Sequence, residues 1–477
     1  MPDVVIVGGG IAGLATAYEL QRRGISSRVL ERSGRPGGVI VGEHVEGFTI
    51  DAGPDALLIQ KPDGIKLCQE LGLGSRLVST LPPRLAYIQR GGVLYPLPAA
   101  SVLGIPTQIA PFVRTRLFSW RGKLRMGAEV FVPRRSGAGD ESIGAFMTRR
   151  FGAEATTYLA EPLLAGIHAG DVDRLSLRAL FPRFADTEQK HGSLIRAFRR
   201  QRAAPSAEGA FKSLPGGLTE LVDALVRALP SDTVRIHAGV ERVLSRSGER
   251  GYRVEVAGGE THEGRALVLA TPAYVTAALL ADRDAELARR CEEIPYASIA
   301  TVALAFERQA VGHPLNGSGY VVPRTERAGI LAATWLSSKW PDRAPQDRVL
   351  MRTFVGGTRD PDALDRSDDQ LVAQSLDAIR PVLNIKGDPI LTRVYRFRRA
   401  SAQHEVGHLE RMALINQRLD AHPGLFVTGS GFRGVGIPDC IADARATAVQ
   451  VAAQLGGLTS EAAAVTTPSN FDDRRAR

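Results

Sequence analysis

Cysteine is scarce in this chain. Cys68, Cys291 and Cys440 are its three thiols in 477 residues, far apart and without a CxxC pair. That spacing argues against a disulfide framework and against a cysteine metal cluster. No apolar run is long enough to cross a bilayer as a helix. Nothing after Met1 has the texture of a secretory leader, and the first residues enter an apolar strand directly, so a cytoplasmic protein is expected. No internal repeat is apparent. Acidic residues are the minority, 51 against 60 Lys and Arg, and the net charge of +9 admits acidic partners without naming one. No nucleic-acid partner is expected. Hydrophobic content of 44% and charged content of 23% are ordinary globular values. The length exceeds a usual single core, so two or three domains are expected.

What is present begins at once. The apolar strand Val4-Val5-Ile6-Val7 runs into Gly8-Gly9-Gly10-Ile11-Ala12-Gly13, a helical pattern follows from Leu14 to Arg23, and a second strand, Ser27 to Leu30, ends in Glu31. Gly8 permits a tight turn, Gly10 lets the backbone approach a pyrophosphate, and Gly13 allows close helix–strand packing. The helix N-terminus offers unpaired N–H groups to phosphate, and Glu31 can accept from a ribose diol while disfavouring a 2′-phosphate. The parts in register distinguish a dinucleotide site from a Gly-rich turn. Arg32-Ser33-Gly34-Arg35-Pro36-Gly37-Gly38 then adds a cationic, Gly-rich loop. Such a loop resembles the second hold on the pyrophosphate of FAD in flavoproteins of the glutathione-reductase type; a surface turn is the alternative. FAD is the expected cofactor.

The chain reads as an α/β protein whose Rossmann-like FAD-binding domain is assembled from separated pieces. Expected boundaries are 1–83 for its first part, 84–207 for a mainly helical, substrate-site insertion with potential membrane contact, and 208–290 for its second part. A mixed-sheet substrate domain follows over 291–410, then the last FAD-domain piece over 411–457 and a disordered tail over 458–477. The insertion is rich in basic residues at Arg114, Arg116, Arg121, Lys123 and Arg125. Late in the chain, Gly429-Ser430-Gly431-Phe432-Arg433-Gly434 formally repeats GxGxxG, but no second strand bearing an acid has room to follow. It reads instead as a further strand of the first sheet whose glycines approach the flavin. The helix start near Val435 to Asp439 would face the ring and stabilise negative charge on it; a plain strand-to-helix turn is the alternative.

Several blocks together resemble the FAD-dependent protoporphyrinogen/coproporphyrinogen oxidases of the amine-oxidase superfamily. They are the GGGIAGLA stretch, Gly53-Pro54-Asp55, Ala165-Gly166-Ile167-His168-Ala169-Gly170-Asp171 and Phe432-Arg433-Gly434-Val435-Gly436-Ile437-Pro438-Asp439-Cys440. The resemblance implies six-electron oxidation of a porphyrinogen in haem biosynthesis, with molecular oxygen as acceptor and hydrogen peroxide as product. It implies protoporphyrinogen IX as substrate, with coproporphyrinogen III as the alternative and a flavin amine oxidase further off. It also implies that Gly8, Gly9, Gly10, Ile11, Ala12, Gly13, Glu31, Arg32, Gly38 and Val39 surround the FAD phosphates and ribose. Gly53, Pro54, Asp55 and Ala56 would lie against the flavin, as would Ser430, Val435, Gly436 and Ile437, with Val240 on the adenine side. Arg84 resembles an arginine pairing a substrate propionate, and Gly166 a site-lining glycine; a solvated arginine and a turn glycine are the alternatives. Phe397 stands where the family often has Trp, which keeps an aromatic wall but loses the indole donor.

Non-covalent FAD is implied, since no flavin-linking cysteine or histidine motif is evident. A homodimer and a peripheral site on the cytoplasmic face of a membrane are further expectations. His404-Glu405-Val406-Gly407-His408 matches HExxH, yet Leu414 occupies the metzincin third-ligand spacing and no Glu lies between Arg411 and Gln454, so no metal is expected. No catalytic acid–base residue is assigned, because hydride transfer from a meso carbon needs orientation and a redox cofactor first. An amine oxidase, a carotenoid desaturase and a non-enzymatic membrane binder remain to be distinguished.

Overall fold

A computed structural model describes residues 2–97, 101–102, 105–106, 109–137, 139–200, 209–245 and 251–465. Its first layer is a five-stranded sheet, all parallel, in the spatial order Val234–Arg235, Ser27–Leu30, Val4–Val7, Ala266–Leu269, Leu425–Val427. The two central strands read as unbroken apolar runs because both faces are covered. One face packs on Ile11–Gln21, Thr219–Ala228 and the last helix, through Leu14, Leu221, Leu225, Ile441 and Ala444. The other face packs under Ala273–Leu280, Ala285–Glu292 and the antiparallel meander Val240–Ser245, Tyr252–Val256, Thr261–Gly264. The second GxGxxG therefore follows an outer strand of the first sheet, as its context implied.

The second layer is a seven-stranded mixed sheet. Its order is Leu391–Ala402, Tyr296–Glu307, Arg348–Gly356, Ala332–Trp335, Gly319–Val321, Tyr87–Arg90, Val93–Pro96, antiparallel except where Gly319–Val321 meets Tyr87–Arg90. Two of these strands correct the sequence reading, which gave everything after Arg84 to the helical insertion. Gly91 and Gly92, both at positive φ, close a hairpin that delivers Tyr87–Arg90 to this sheet. The strand expected to end at Tyr395 continues to Ala402, its arginines satisfied by Asp368, Asp365 and the Leu364 and Arg366 carbonyls. One face of the sheet is dry, with Val302, Leu304, Phe306, Met351 and Trp335 buried with Leu371, Ile379 and Leu383 of the helix Asp368–Leu383.

Between the two sheets in sequence lies a helical unit including Trp120–Gly127, Ile143–Phe151, Glu161–His168 and Pro182–His191, with its own core of Phe146, Phe151, Leu159, Phe184 and Leu194. Its centre holds a fully buried ion pair, Arg150 with Glu129, backed by Glu188 at 3.2 Å from Arg150. The last helix runs Ile437–Val465, so it enters the stretch expected to be a tail; Glu461-Ala462-Ala463-Ala464 is strongly helix-favouring. The remainder of the expected tail, 466–477, lies outside the described residues. No helix among the described residues is long and apolar enough to cross a membrane.

Candidate active site

The first glycines differ in what holds them. Gly8 sits at φ +105°, and a Cβ there would stand 2.7 Å from the Ala270 carbonyl. A Cβ on Gly13 would stand 2.0 Å from the Gly8 carbonyl, so helix and turn touch backbone to backbone. Gly10 is different: its φ is −72°, open to any residue, and its Cβ would meet nothing nearer than Gly38 Cα at 4.0 Å. Gly10 and Gly38 lie backbone against backbone, a Cβ on Gly38 standing 3.2 Å from Gly10 Cα, and Gly37 N–H donating to the Gly9 carbonyl at 2.8 Å ties the 33–38 loop to the first glycine turn. The helix Ile11–Gln21 starts there with no side-chain cap and no acidic residue in its first turn, leaving its N–H groups for an anion. Glu31 ends the second strand and accepts from Gly9 N–H at 2.7 Å and Ser33 Oγ at 2.7 Å. Arg32 packs on Gly239, next to Val240, and Arg35 fastens the loop through the Gly38 and Ile40 carbonyls. These groups fit a dinucleotide whose pyrophosphate would meet the uncapped helix N-terminus beside the paired glycine loops and whose ribose would meet Glu31.

The turn 51–55 is fixed by charge. Gly53 lies against Val39, where a Cβ would stand 2.0 Å from the Val39 carbonyl. Asp55 is buried with Lys339 Nζ at 2.6 Å, Trp340 Nε1 at 2.9 Å and Arg352 at 3.2 Å. Burial pushes its carboxyl up, but Lys339 and Arg352 overcome that and hold it far below the usual range. Arg352 also donates to the Asp51 and Gly53 carbonyls, and Arg343 pairs Asp51 at 3.0 Å with both side chains buried. Burial raises the Asp51 carboxyl against the pull of Arg343. Ala56 packs beside the buried Phe48, Ile50 and Trp340. Lys339, Arg343 and Arg352 were missed from sequence; no local motif marks them.

The C-terminal glycine loop comes to the same place. Gly429, at φ +109°, has Ala12 Cβ 3.5 Å from its Cβ position, and Asp443 pins it by accepting from Gly429 N–H at 3.0 Å and Thr428 Oγ1 at 2.7 Å. Ser430 is held through its carbonyl, which accepts from His404 Nε2 at 3.0 Å; the Phe432 carbonyl accepts from His408 Nε2 at 2.9 Å. The HExxH histidines are thus stacked rings, 3.8 Å apart, that brace the loop, and no metal-holding cluster exists among the described residues. The helix start at Val435, Gly436 and Ile437 is capped by Asp439, which accepts from Gly436 N–H at 3.2 Å and pairs Lys61 at 2.6 Å. That start therefore carries its own carboxylate, balanced by Lys61, beside the dipole expected to face the flavin. Burial pushes the Cys440 thiol up to about 12, which leaves it protonated.

The buried histidines give a pH prediction. Burial holds His404 at about 3, so between pH 6.5 and 3 the unfolded chain binds a proton at this residue that the folded chain refuses; burial lowers His408 in the same direction. The His404 contribution is complete above pH 6.5 and is lost as pH falls toward 3, at up to about 1.4 kcal/mol per pH unit. His404→Gln is expected to flatten the fall in urea stability between pH 7 and 5; an unchanged slope would assign the fall elsewhere.

The second face of the mixed sheet looks into this region. Directly opposed residues share a face, which puts Tyr395, Thr301, Phe354, Ala332 and Val321 on one rung and Phe397 with Ile299 on the next. Thr301 Oγ1 donates to the Ala52 carbonyl at 2.8 Å, so the face is turned toward the 51–55 turn. Phe397 is on that face, half-buried. Ile299 and Phe354 are only partly covered, by Ala165 and Ala169 of the helical unit. Gly166 sits where a Cβ would be 3.2 Å from Val321 and 3.7 Å from Ala332, a close approach of helix to sheet. Arg84 is exposed, its Nε donating to the Thr80 carbonyl at 3.0 Å, on the loop whose Leu81 N–H reaches the Lys339 carbonyl.

Two glycine turns, a charge-locked turn and a half-covered apolar face thus converge. A family model of flavin containing amine oxidoreductases matches residues 11–452. The chain belongs to that family. Among curated proteins it is 36% identical to coproporphyrinogen III oxidase of Bacillus subtilis, covering 93% of this chain and 96% of the relative. It is 34% identical to coproporphyrinogen III oxidase of Staphylococcus aureus, with 95% and 99% covered. A crystal structure from Exiguobacterium, provisionally called a protoporphyrinogen oxidase, superposes with a TM-score of 0.85 at 31% identity, covering 95% of this chain and 98% of that one. This family member is an oxidoreductase of the porphyrinogen oxidase type with the amine-oxidase flavoprotein fold, and its cofactor is FAD.

Proposed function

We propose that this chain oxidises coproporphyrinogen III to coproporphyrin III, with dioxygen as the final acceptor and hydrogen peroxide as the second product. The observation that carries the reading is the half-covered apolar face of Ile299, Val321 and Phe354 beside the FAD-binding turns, where a large, mostly apolar macrocycle can lie. Protoporphyrinogen IX, favoured from sequence, becomes the second choice, because the relatives at 36% and 34% identity are named for coproporphyrinogen. FAD, held non-covalently in a domain of the glutathione-reductase type, supplies a two-electron hydride acceptor. The buried, protonated Cys440 supports the non-covalent state. The chain's own residues orient and exclude: Gly166 brings the helix close without filling the slot, Phe397 and Phe354 wall it, and Arg84 meets a propionate at the rim. Side-by-side rates with the two porphyrinogens test the substrate. A higher kcat/KM for coproporphyrinogen III is expected, and the reverse order would reinstate protoporphyrinogen IX. Arg84→Ala is expected to raise KM without changing FAD content; unchanged kinetics with both substrates would make Arg84 a surface residue.

Peripheral membrane contact belongs to the same proposal. Trp120 and Leu124 are 67% and 73% exposed one turn apart, Phe131 is 82% exposed, and Arg114, Arg116 and Arg121 lie exposed nearby in sequence. Lys123 and Arg125 serve the fold instead, donating to the Val113 and the Arg149 and Arg150 carbonyls. Residues 98–100, 103–104 and 107–108 of the expected contact segment lie outside the described residues. Exposed arginines near anionic lipid contribute about 1 kcal/mol each. Flotation with anionic vesicles is expected to recover the wild type and to lose a Trp120→Ser, Leu124→Ser, Phe131→Ser variant; equal recovery of the two would remove this surface from the proposal.

A further inference from the structure

His168 closes the helix Glu161–His168, which leaves through Ala169 in the left-handed conformation. Its carbonyl is anchored twice, accepting from Ser401 Oγ at 2.8 Å and Gln403 Nε2 at 2.9 Å at the end of the edge strand. Its ring is placed by packing alone, edge-on to Phe181 with centroids 6.5 Å apart and planes at 84°. Among the described residues neither ring nitrogen has a hydrogen-bond partner, whereas His404, His408 and His422 each commit Nε2 to a carbonyl or carboxylate. Four elements bring groups to it. Lys61 comes from the loop before Asp63–Glu70, Asp439 from the first turn of the last helix, His404 from the segment after the edge strand, and Phe181 from the segment before Pro182–His191. The Lys61–Asp439 pair caps the helix start that follows the C-terminal glycine loop, so the free imidazole stands where that loop and the apolar face meet.

We propose that His168 is the proton acceptor of the reaction, taking the pyrrole N–H proton as the neighbouring meso carbon gives up hydride. The inference rests on the porphyrinogen reading above. In each round the meso C–H bond would break with its electron pair passing to the two-electron acceptor that FAD supplies, the N–H bond would break with its proton going to His168, and a C=N bond would form; after three rounds the proton of the remaining meso CH2 moves to a ring nitrogen, which leaves the two N–H groups of the porphyrin. The hydride and the proton then leave together on dioxygen as hydrogen peroxide, which returns His168 to its neutral form. Burial and Lys61 hold the imidazole at about 4 against the opposing pull of Asp439, so at neutral pH it carries the lone pair this step needs. A weak base suffices because the proton leaves an oxidised, cation-like pyrrole.

Anaerobic stopped-flow reduction of the FAD-loaded protein by coproporphyrinogen III tests this. His168→Gln and His168→Ala are expected to keep wild-type FAD content and thermal midpoint, because the ring makes no hydrogen bond to the described residues. Both should reduce flavin about 100-fold more slowly at saturating substrate, the lower end of what a positioned acid–base group contributes. Apparent substrate affinity should change less than about threefold, and added imidazole should restore part of the rate to His168→Ala alone. Reduction within threefold of wild type, or slow reduction that imidazole does not raise, overturns the proton-acceptor role. If coproporphyrinogen III and protoporphyrinogen IX both fail to reduce the wild type, the substrate reading itself has failed.

Discussion

Gly10→Val is expected to give a folded, colourless protein. At Gly8 and Gly13 a side chain collides with backbone, so their substitution would confound folding with binding. Gly13 shares an ordinary helical φ, but of the three only Gly10 also has a Cβ position whose nearest neighbour is as far as Gly38 Cα at 4.0 Å. Among the described residues nothing collides with a Cβ there, so the expected loss falls on a pyrophosphate approaching the helix N-terminus. Valine would crowd the approach of a pyrophosphate to the helix N-terminus at a folding cost of about 1 kcal/mol or less, the usual loss at an N-cap position without a capping side chain. Bound FAD after gel filtration should fall at least about tenfold, with the far-ultraviolet spectrum unchanged. Full FAD retention would place the pyrophosphate elsewhere.

Arg352→Met should cost the most stability of any single change considered. Arg352 is buried, pairs Asp55 and donates to the Asp51 and Gly53 carbonyls, so its removal leaves a buried carboxylate with Lys339 as its remaining cation and two carbonyls short of a donor. Breaking one side of a buried pair costs about 3–5 kcal/mol. Adding Asp55→Asn should recover part of that loss, since the uncompensated charge is then gone. Urea unfolding of the single and double variants measures both. A loss below about 1 kcal/mol in the single variant would show that the 51–55 turn is held by packing rather than by charge.

The legible parts of this molecule are those written locally. Val4 to Glu31 carries strand, turn, helix and acid within one βαβ unit, and the periodicity alone places them. The second glycine loop was legible by what failed to follow it. The charge lock was not, because Asp55 meets Lys339 and Arg352 across 284 and 297 residues of sequence, and a lone Lys or Arg in a strand pattern signals nothing by itself. The hairpin Tyr87–Arg90 and Val93–Pro96 was hidden by prolines that punctuate the same stretch, and its parallel partner, Gly319–Val321, lies far along the chain. The edge strand was cut short at Tyr395 because Arg396, Arg398 and Arg399 break the apolar alternation; in the fold Arg396 and Arg398 reach carboxylates and carbonyls around the helix Asp368–Leu383. The HExxH match was set aside because no third ligand follows at the required spacing, and in the fold its histidines reach the Ser430 and Phe432 carbonyls.

The most direct test of the account is anaerobic mixing of the FAD-loaded protein with coproporphyrinogen III, with tyramine and phytoene in parallel. Loss of the oxidised flavin absorbance with the porphyrinogen alone, and its return together with hydrogen peroxide when oxygen is admitted, is the predicted result. Reduction by tyramine or phytoene but not by the porphyrinogen would contradict it.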